Sequence, residues 1–151
     1  MKVLKKDFKI KFMPYCYFHK RIKSYRNFQC PTCGVRNFDN FAIRFLLYKG
    51  AEYCGEVELE IRKIKGKVVS FGTHSKIKRK YRNQGLGIWL YGKAIAWALR
   101  NGHKISSSFG ASEQAQRLWN SKTLRSRYKI IRKNYFACNA YVLYHATAPI
   151  H

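Results

Sequence analysis

Residues 77–87 read IKRKYRNQGLG, and they are the most informative segment of the chain. Glycines at positions 85 and 87 let the backbone approach a ligand closely, and an apolar helical pattern follows them. The first N–H groups of a helix have no partner inside it, and the positive end of the helix dipole lies there. The stretch therefore predicts a phosphate-binding helix N-terminus. A helix that needs glycine only for packing is the alternative.

The pattern on either side of this stretch predicts strands before it and a helix after it. Phe41–Tyr48 and Glu56–Ile64 are typical of strands, and the latter alternates charged and apolar residues. A turn at residues 65–67 leads into a further strand that opens at Val68–Phe71. After Gly85 the period becomes helical, and the predicted buried face consists of Leu86, Leu90, Ala94, Trp97 and Ala98.

The second half of the chain continues the alternation of helix and strand. Asn101-Gly102 is a good end for the first helix, and Lys104–Ser108 predicts a short strand. Ser112 could cap a second helix whose inner face carries Ala115, Leu118 and Trp119. Residues 128–145 predict one or two closing strands. This order of elements predicts an α/β domain around a mixed sheet.

The charge of the chain indicates a polyanionic partner. Lys and Arg number 31 against 7 Asp and Glu, a formal net charge of +24, while 46% of the residues are hydrophobic. The apolar fraction suffices for a core, and the charge excess repels itself unless a polyanion is near. Between Ile61 and His151 there are 19 basic residues and a single acid, Glu113. Nucleic acid is the first candidate and an anionic membrane the second; a solvated lysine-rich face is the alternative.

The location predicted from the sequence is cytoplasmic, or the host cytoplasm if the protein is viral. Residues 1–6 carry charge without a following apolar segment, and the apolar runs are too short to span a bilayer. We therefore expect no membrane partner. Five cysteines without a secretory signal favour metal binding or simple burial over a disulfide framework.

Two motifs resemble those of the GCN5-related N-acetyltransferase (GNAT) superfamily. Arg82-x-x-Gly85-x-Gly87 is similar to its pyrophosphate-binding signature, with Ile77 and Tyr81 preceding it as is common there. Downstream, Ser112-x-x-Ala115-x-x-Leu118-Trp119 resembles the second motif of the superfamily. The resemblance covers roughly two thirds of the chain by order and spacing of elements. It implies a mixed, mostly antiparallel sheet flanked by helices.

The resemblance implies an acyl-coenzyme A donor, usually acetyl-CoA. The backbone N–H groups from Asn83 to Gly87 would hold the pyrophosphate, Arg82 would add charge, and Ser112 would lie near the coenzyme. The pantetheine arm would pair with the strand at residues 75–77. The expected coenzyme-binding residues are Ile77, Arg82, Asn83, Gln84, Gly85, Leu86, Gly87 and Ser112.

The resemblance also implies direct transfer of the acyl group to an amine, with a base and an acid. Glu58, which shares a strand face with Glu60, and His74 are the candidate bases. A solvated strand face and a surface histidine are the alternatives. The tyrosine that usually serves as acid would align with Trp119, whose indole is not an acid at neutral pH. Tyr128, Tyr135 or a water would then serve, and without a base the protein would be inactive.

The N-terminal cysteines predict a zinc site. Cys30-Pro-x-Cys33-Gly resembles a zinc knuckle, and Cys16 and His19 could complete a tetrahedral set. A turn with buried cysteines is the alternative. We expect residues 1–38 to form a basic, zinc-ribbon-like segment and residues 39–151 to form the GNAT-like domain. The predicted nucleic-acid contacts are Lys20, Arg21, Lys23 and Arg26 on the first segment, and Lys78, Arg79 and Lys80 on the second.

The combined interpretation is an acyltransferase that acts on nucleic acid. Two activities of the superfamily fit a basic surface: modification of DNA bases, as phage Mom proteins perform, and acetylation of aminoacyl-tRNA. The first is favoured because a small, basic chain rich in Lys, Ile, Asn, Phe and Tyr suits a phage gene from an AT-rich genome. A target base would be flipped and stacked on an aromatic residue such as Tyr135 or Phe136. The alternatives are an inactive nucleic-acid-binding or inhibitory protein of the same fold, and a protein-lysine acetyltransferase.

Overall fold

A computed structural model describes residues 5–16, 41–64, 66–107, 113–137 and 139–149 of the chain. One mixed sheet contains all seven strands of these residues, in the order β1-β2-β3-β4-β5-β7-β6. Only the pairing of β4 with β5 is parallel in this part of the chain, and the other neighbours are antiparallel. The strands are β1 Phe8–Cys16, β2 Phe41–Lys49, β3 Glu52–Ile64, β4 Lys67–Ile77, β5 Lys104–Ser107, β6 Tyr128–Ala137 and β7 Asn139–Pro149.

Three α-helices accompany the sheet in the described residues. They are α1 Leu86–Arg100, α2 Glu113–Trp119 and α3 Lys122–Arg125. Helix α1 contacts β2, β3, β4, β5 and β7, so it covers the central strands of the sheet. The predicted α/β architecture with a mostly antiparallel sheet and flanking helices is therefore confirmed. None of these helices has the length and the apolar character needed to cross a lipid bilayer.

The core forms between α1 and the central strands. All of the residues predicted for the inner face of α1 are buried: Leu86, Leu90, Ala94, Trp97 and Ala98. Trp97 packs against Phe12 of β1 and Phe45 of β2, with ring centroids 5.5 and 5.9 Å away. Burying one large apolar side chain of this kind contributes about 1.5–3 kcal/mol, so this face holds α1 on the sheet.

The predicted end of α1 is confirmed. Asn101 follows the last helical residue, and its side-chain N–H group donates to the carbonyl oxygen of Trp97 at 2.8 Å. Gly102 then adopts a left-handed φ of +73°, which glycine reaches without steric cost. The chain can therefore reverse direction directly into β5.

Strand β1 is a part of the sheet that sequence reasoning overlooked. It lies within the segment 1–38, and it pairs with β2 from Phe8↔Lys49 to Cys16↔Phe41. Its apolar residues alternate with lysines, as a half-buried strand requires. The short helix α3 was also missed, although Ser121 caps it by accepting a hydrogen bond from the Leu124 N–H group at 3.3 Å. The segment predicted to be zinc-ribbon-like was 1–38; its residues 17–38 lie outside the described residues, so a zinc-ribbon-like fold there stays a prediction.

A buried histidine makes the stability of this fold dependent on pH. His103 precedes β5, and its Nδ1 atom lies 3.1 Å from the Ser70 hydroxyl oxygen. Burial lowers the pKa of His103, so the folded protein favours the neutral imidazole. Below about pH 6.5, His103 becomes protonated in the unfolded chain but stays neutral in the folded protein. The free energy of unfolding therefore decreases as the pH falls below this value. We expect urea denaturation at several pH values to show this decrease in the free energy of unfolding. The decrease should be smaller in His103→Gln than in the wild type.

Candidate active site

The sheet opens between β4 and β5. The two parallel strands pair from Val69↔Lys104 to Gly72↔Ser107, where the described part of β5 ends. Strand β4 continues to Ile77 while it stays paired with β3 on its other side. The register shifts between Glu58↔His74 and Leu59↔Gly72, which leaves Thr73 as an extra residue in β4. This bulge lies where the strands separate, as bulges beside binding sites commonly do.

A cleft of about 730 Å³ occupies this opening. Its walls are β4 beyond Gly72, the loop and first turn of α1, Tyr91 further along α1, and residues of α2. At its closed end are Gly72 and Ser107, the last described residues of the parallel pairing. The cleft therefore runs along the edge of β4 that no described residue of β5 pairs with, from the start of α1 toward the middle of the sheet.

The glycine loop forms the mouth of the cleft. Arg82 folds back so that its Nε–H group donates to the carbonyl oxygen of Ile77 at 2.8 Å. Asn83 and Gly85 have left-handed φ values of +62° and +75°, and a Cβ atom on Gly85 would meet nothing within 4 Å. The N–H group of Trp89 donates to the carbonyl oxygen of Gly85 at 3.0 Å and closes the first helical turn. The N–H groups of residues 86–88 therefore have no acceptor within the helix, and an anion can bind them.

Most of the residues predicted to bind the coenzyme lie together at this mouth. Those that line the cleft are Ile77, Arg82, Asn83, Gly85, Leu86 and Gly87. Gln84 is exposed, and its side-chain amide donates to the carbonyl oxygen of Lys80 at 3.5 Å. Ser112 lies outside the described residues. Their roles in binding remain predictions.

One of the basic residues before the loop, Lys80, pairs with a glutamate on β3. The Nζ atom of Lys80 lies 2.5 Å from a carboxylate oxygen of Glu52, and the Tyr81 hydroxyl donates to the other oxygen at 2.6 Å. These two hydrogen bonds lower the pKa of Glu52. Lys78, Arg79 and Lys80 are all exposed beside the cleft mouth. A polyanion can therefore approach the loop from this side.

Three glutamates of β3, at positions 56, 58 and 60, share one face of the strand, and they differ in position relative to the cleft. Glu58 is nearly buried, accepts a hydrogen bond from Arg44 Nε at 2.8 Å, and is not among the lining residues. Glu56 lines the cleft and is only 7% exposed. His74, the other predicted base, is exposed and also lines the cleft. Sequence reasoning named Glu58 and did not name Glu56.

Glu56 is positioned by three neighbours. The Tyr53 hydroxyl donates to one carboxylate oxygen at 2.5 Å, and Lys76 Nζ lies 3.7 Å from the same oxygen. The other oxygen lies 3.6 Å from Arg44 Nε. Burial, together with the hydrogen bond to Glu56, raises the pKa of Tyr53, so this phenol remains a donor at neutral pH. The carboxylate is thus held in place at the cleft wall, where it can accept a proton.

The closed end of the cleft contains a buried tyrosine that sequence reasoning did not single out. Tyr91 of α1 is only 5% exposed, and its ring lies edge-to-face with that of Trp119, 5.5 Å between centroids. A Cβ atom on Gly72 would overlap the Tyr91 hydroxyl, so the phenol fits against bare backbone. Tyr128, the predicted acid, lies elsewhere: its hydroxyl donates to the carbonyl oxygen of Gly92 at 3.4 Å, and it does not line the cleft.

The predicted metal ligands are mostly outside the described residues. Cys16 ends β1, whereas His19, Cys30 and Cys33 fall in residues 17–40, as do Lys20, Arg21, Lys23 and Arg26. Within the ranges that the structure describes, no three His, Cys, Asp or Glu residues cluster as metal ligands would. Zinc binding stays a prediction.

Comparison with known proteins identifies the fold. No protein-family profile matches the sequence, and no curated protein matches it significantly. An aminoglycoside acetyltransferase from an uncultured soil metagenomic sample, in complex with trehalose, aligns with a TM-score of 0.54 at 12% identity, over 87% of this chain and 97% of that one. An acyl-CoA N-acyltransferase from Pseudomonas aeruginosa aligns at 0.50 and 15% identity, over 93% and 100%.

A third solved structure, the NatC complex bound to Gag peptide and CoA, aligns with a TM-score of 0.52 at 13% identity over 72% of this chain and 71% of that one. By their descriptions, one of the three is an acetyltransferase, one is an acyl-CoA N-acyltransferase and one is a complex bound to CoA. The chain therefore has the fold of the GNAT acetyltransferases, as the motif at residues 82–87 predicted.

Proposed function

We propose that this chain is an acyl-CoA-dependent N-acyltransferase. The observation that supports it best is the cleft beside the part of β4 that no described residue of β5 pairs with. At its mouth lie the N–H groups of residues 86–88, which have no acceptor within α1. A diphosphate at that mouth would leave the pantetheine arm to run along β4. From Ile77 to Gly72 the strand spans about 17 Å, at about 3.3 Å per residue. The thioester would then lie at the closed end.

The cleft wall supplies a base for this reaction. The acceptor nitrogen attacks the thioester carbonyl carbon, a C–N bond forms, and the C–S bond then breaks. Glu56 accepts the proton that the nitrogen loses, directly or through one water, because the residue lines the cleft and the Tyr53 hydroxyl holds its carboxylate. His74, on the neighbouring strand and also in the cleft wall, is the alternative base.

Coenzyme binding and product analysis test this function. Titration calorimetry with CoA and acetyl-CoA should show binding of one coenzyme per chain, and acetyl-CoA should release its thiol when an acceptor amine is present. If neither coenzyme binds, only the alternative of an inactive protein with this fold survives. Mass spectrometry of nucleic acid and protein from expressing cells then identifies the acceptor.

For the acceptor we propose an amine on nucleic acid. The net charge of +24 favours a polyanion, and exposed Lys78 and Arg79 lie beside the cleft mouth. Aromatic rings are interleaved with the cations: Lys11 Nζ lies 4.6 Å from the centroid of Tyr48, and Lys78 Nζ lies 5.6 Å from that of Tyr53. Rings of this kind can stack on unpaired bases. Between the two nucleic-acid acceptors, we favour a DNA base over aminoacyl-tRNA. If mass spectrometry finds modified peptides and no modified nucleosides, the acceptor is a protein amine instead.

Nucleic-acid affinity should fall steeply with salt. If about six phosphates are contacted, the dissociation constant should rise about 10³-fold between about 50 and 200 mM salt, because each contact releases counterions. Fluorescence anisotropy with a labelled double-stranded oligonucleotide measures this slope. An affinity that is constant over this range would rule out the electrostatic account.

Charge reversal locates the binding surface. The double variant Lys78→Glu/Arg79→Glu should weaken oligonucleotide binding by at least about tenfold and reduce the salt slope by about 2, because two phosphate contacts are lost. Lys67→Glu/Lys104→Glu is the matched control, since it makes the same change in charge at the opposite end of β4. Equal losses in the two variants would mean that only net charge matters, which contradicts a surface at the cleft mouth.

A further inference from the structure

The closed end of the cleft carries a hydroxyl group that the proposed chemistry has not yet used. We propose that the Tyr91 hydroxyl donates a hydrogen bond to the coenzyme sulfur as the thioester bond breaks. This inference rests on the proposed acyltransferase function and adds a catalytic residue to it.

The position of Tyr91 is fixed by the strands beneath it. Gly72 is the last residue of β4 that pairs with a described residue of β5, and a Cβ atom added there would overlap the phenol oxygen of Tyr91. Tyr91 lines the cleft although it is almost completely buried. Its hydroxyl therefore lies where the parallel strands begin to separate.

This place suits the sulfur better than any other part of the coenzyme. A coenzyme held by its diphosphate at the cleft mouth reaches the closed end with its thiol, which carries the acyl group. When the C–S bond breaks, its electron pair stays on the sulfur, and a negative charge develops at a site shielded from water. A preorganised donor stabilises such a charge more strongly than water does.

Among the tyrosine side chains that the structure describes, Tyr91 suits this role best. Two of them line the cleft, and the hydroxyl of the other, Tyr81, already donates a hydrogen bond to Glu52 at 2.6 Å. The Tyr128 hydroxyl donates to Gly92 outside the cleft. Burial raises the pKa of Tyr91, so the phenol stays protonated at neutral pH. The edge-to-face contact with Trp119 fixes the position of its ring.

The reaction balances with this assignment. The acceptor nitrogen forms the C–N bond and gives its proton to Glu56, the C–S bond breaks, and the sulfur keeps the electron pair as a thiolate. Tyr91 stabilises the thiolate through its O–H group, and the thiolate takes a proton from solvent as the coenzyme leaves. No oxidant, reductant or further reactant is needed.

The test is the pKa of the CoA thiol when CoA is bound to the protein. Ultraviolet absorbance of the thiolate gives this value in a pH titration. Tyr91→Phe should raise it by about 1–2, because a hydrogen bond to a charged group contributes about 1.5–3 kcal/mol and one pKa unit corresponds to about 1.4 kcal/mol. The affinity for CoA should change little at neutral pH, where the thiol is mostly protonated.

Tyr128→Phe is the matched control, since it removes a phenol oxygen of the same domain that does not line the cleft. It should leave the pKa of the bound thiol unchanged. If Tyr91→Phe does not fold, Gly72→Ala replaces it, because the added Cβ atom displaces the hydroxyl without removing it. It should raise the thiol pKa in the same direction.

Two failures are distinguishable. If CoA binds and its thiol titrates alike in the wild type and in Tyr91→Phe, Tyr91 does not contact the sulfur, and this inference is wrong while the proposed function stands. If CoA does not bind to the wild type, the proposed function falls, and the role of Tyr91 falls with it.

Discussion

Replacing Gly85 with glutamate should abolish coenzyme binding, with an expected loss of affinity of at least about 10³-fold. The new carboxylate would lie at the cleft mouth, beside the N–H groups of residues 86–88 that we assign to the diphosphate. Like charges brought together in a binding site cost several kcal/mol, and each 1.4 kcal/mol is about a tenfold change in affinity. Titration calorimetry with CoA measures the effect.

The expected loss is one of binding and not of folding. A Cβ atom at Gly85 meets nothing within 4 Å, and the left-handed φ of +75° costs a non-glycine residue only about 1–2 kcal/mol. Gly50→Glu is the matched control, since Gly50 also has a positive φ and open space around it but lies in the β2–β3 turn. Gly85→Asn keeps the site neutral and should retain most of the affinity. Wild-type affinity in Gly85→Glu would contradict the assignment.

Replacing Glu56 with glutamine should lower kcat by about 10²–10⁴-fold, because a general base usually contributes this much to the rate. The affinity for CoA should be unchanged, because Glu56 lies on β3 and not in the glycine loop. Glutamine keeps the shape of the side chain and can still accept from Tyr53. Release of the CoA thiol from acetyl-CoA in the presence of a simple primary amine measures the rate.

Glu60→Gln is the matched control for this variant, since Glu60 shares the strand face but does not line the cleft. It should keep the wild-type rate. Full activity in Glu56→Gln combined with a large loss in His74→Ala would assign the base to His74 instead.

The framework of the fold was predictable because it is encoded locally. The period of the apolar residues identified α1 and its buried face, and Asn101-Gly102 identified its end. The spacing of Arg82, Gly85 and Gly87 identified the loop between β4 and α1 as a candidate anion site. Strand β1 was not predicted because its alternation of apolar residues and lysines is short and the residues around it are basic.

The residues around the cleft were harder to predict because their roles depend on where β4 and β5 separate. Alternation placed Glu58 and Glu60 on one face, and it applies equally to Glu56, but only the three-dimensional structure shows that Glu56 reaches the cleft. Tyr91 fell in the apolar pattern of α1 and looked like an ordinary core residue. Its hydroxyl matters only because it meets Gly72 at the end of the parallel pairing, a contact between residues far apart in sequence.

A nuclear magnetic resonance titration of the backbone amides with CoA tests directly whether the glycine loop binds the diphosphate. We predict that the amide resonances of residues 83–88 shift most, because those N–H groups would bind the diphosphate, and that Gly72 and Ser107 shift as the thiol end reaches them. If the resonances of residues 83–88 do not change at saturating CoA, or if only a distant surface shifts, the loop is not the diphosphate site.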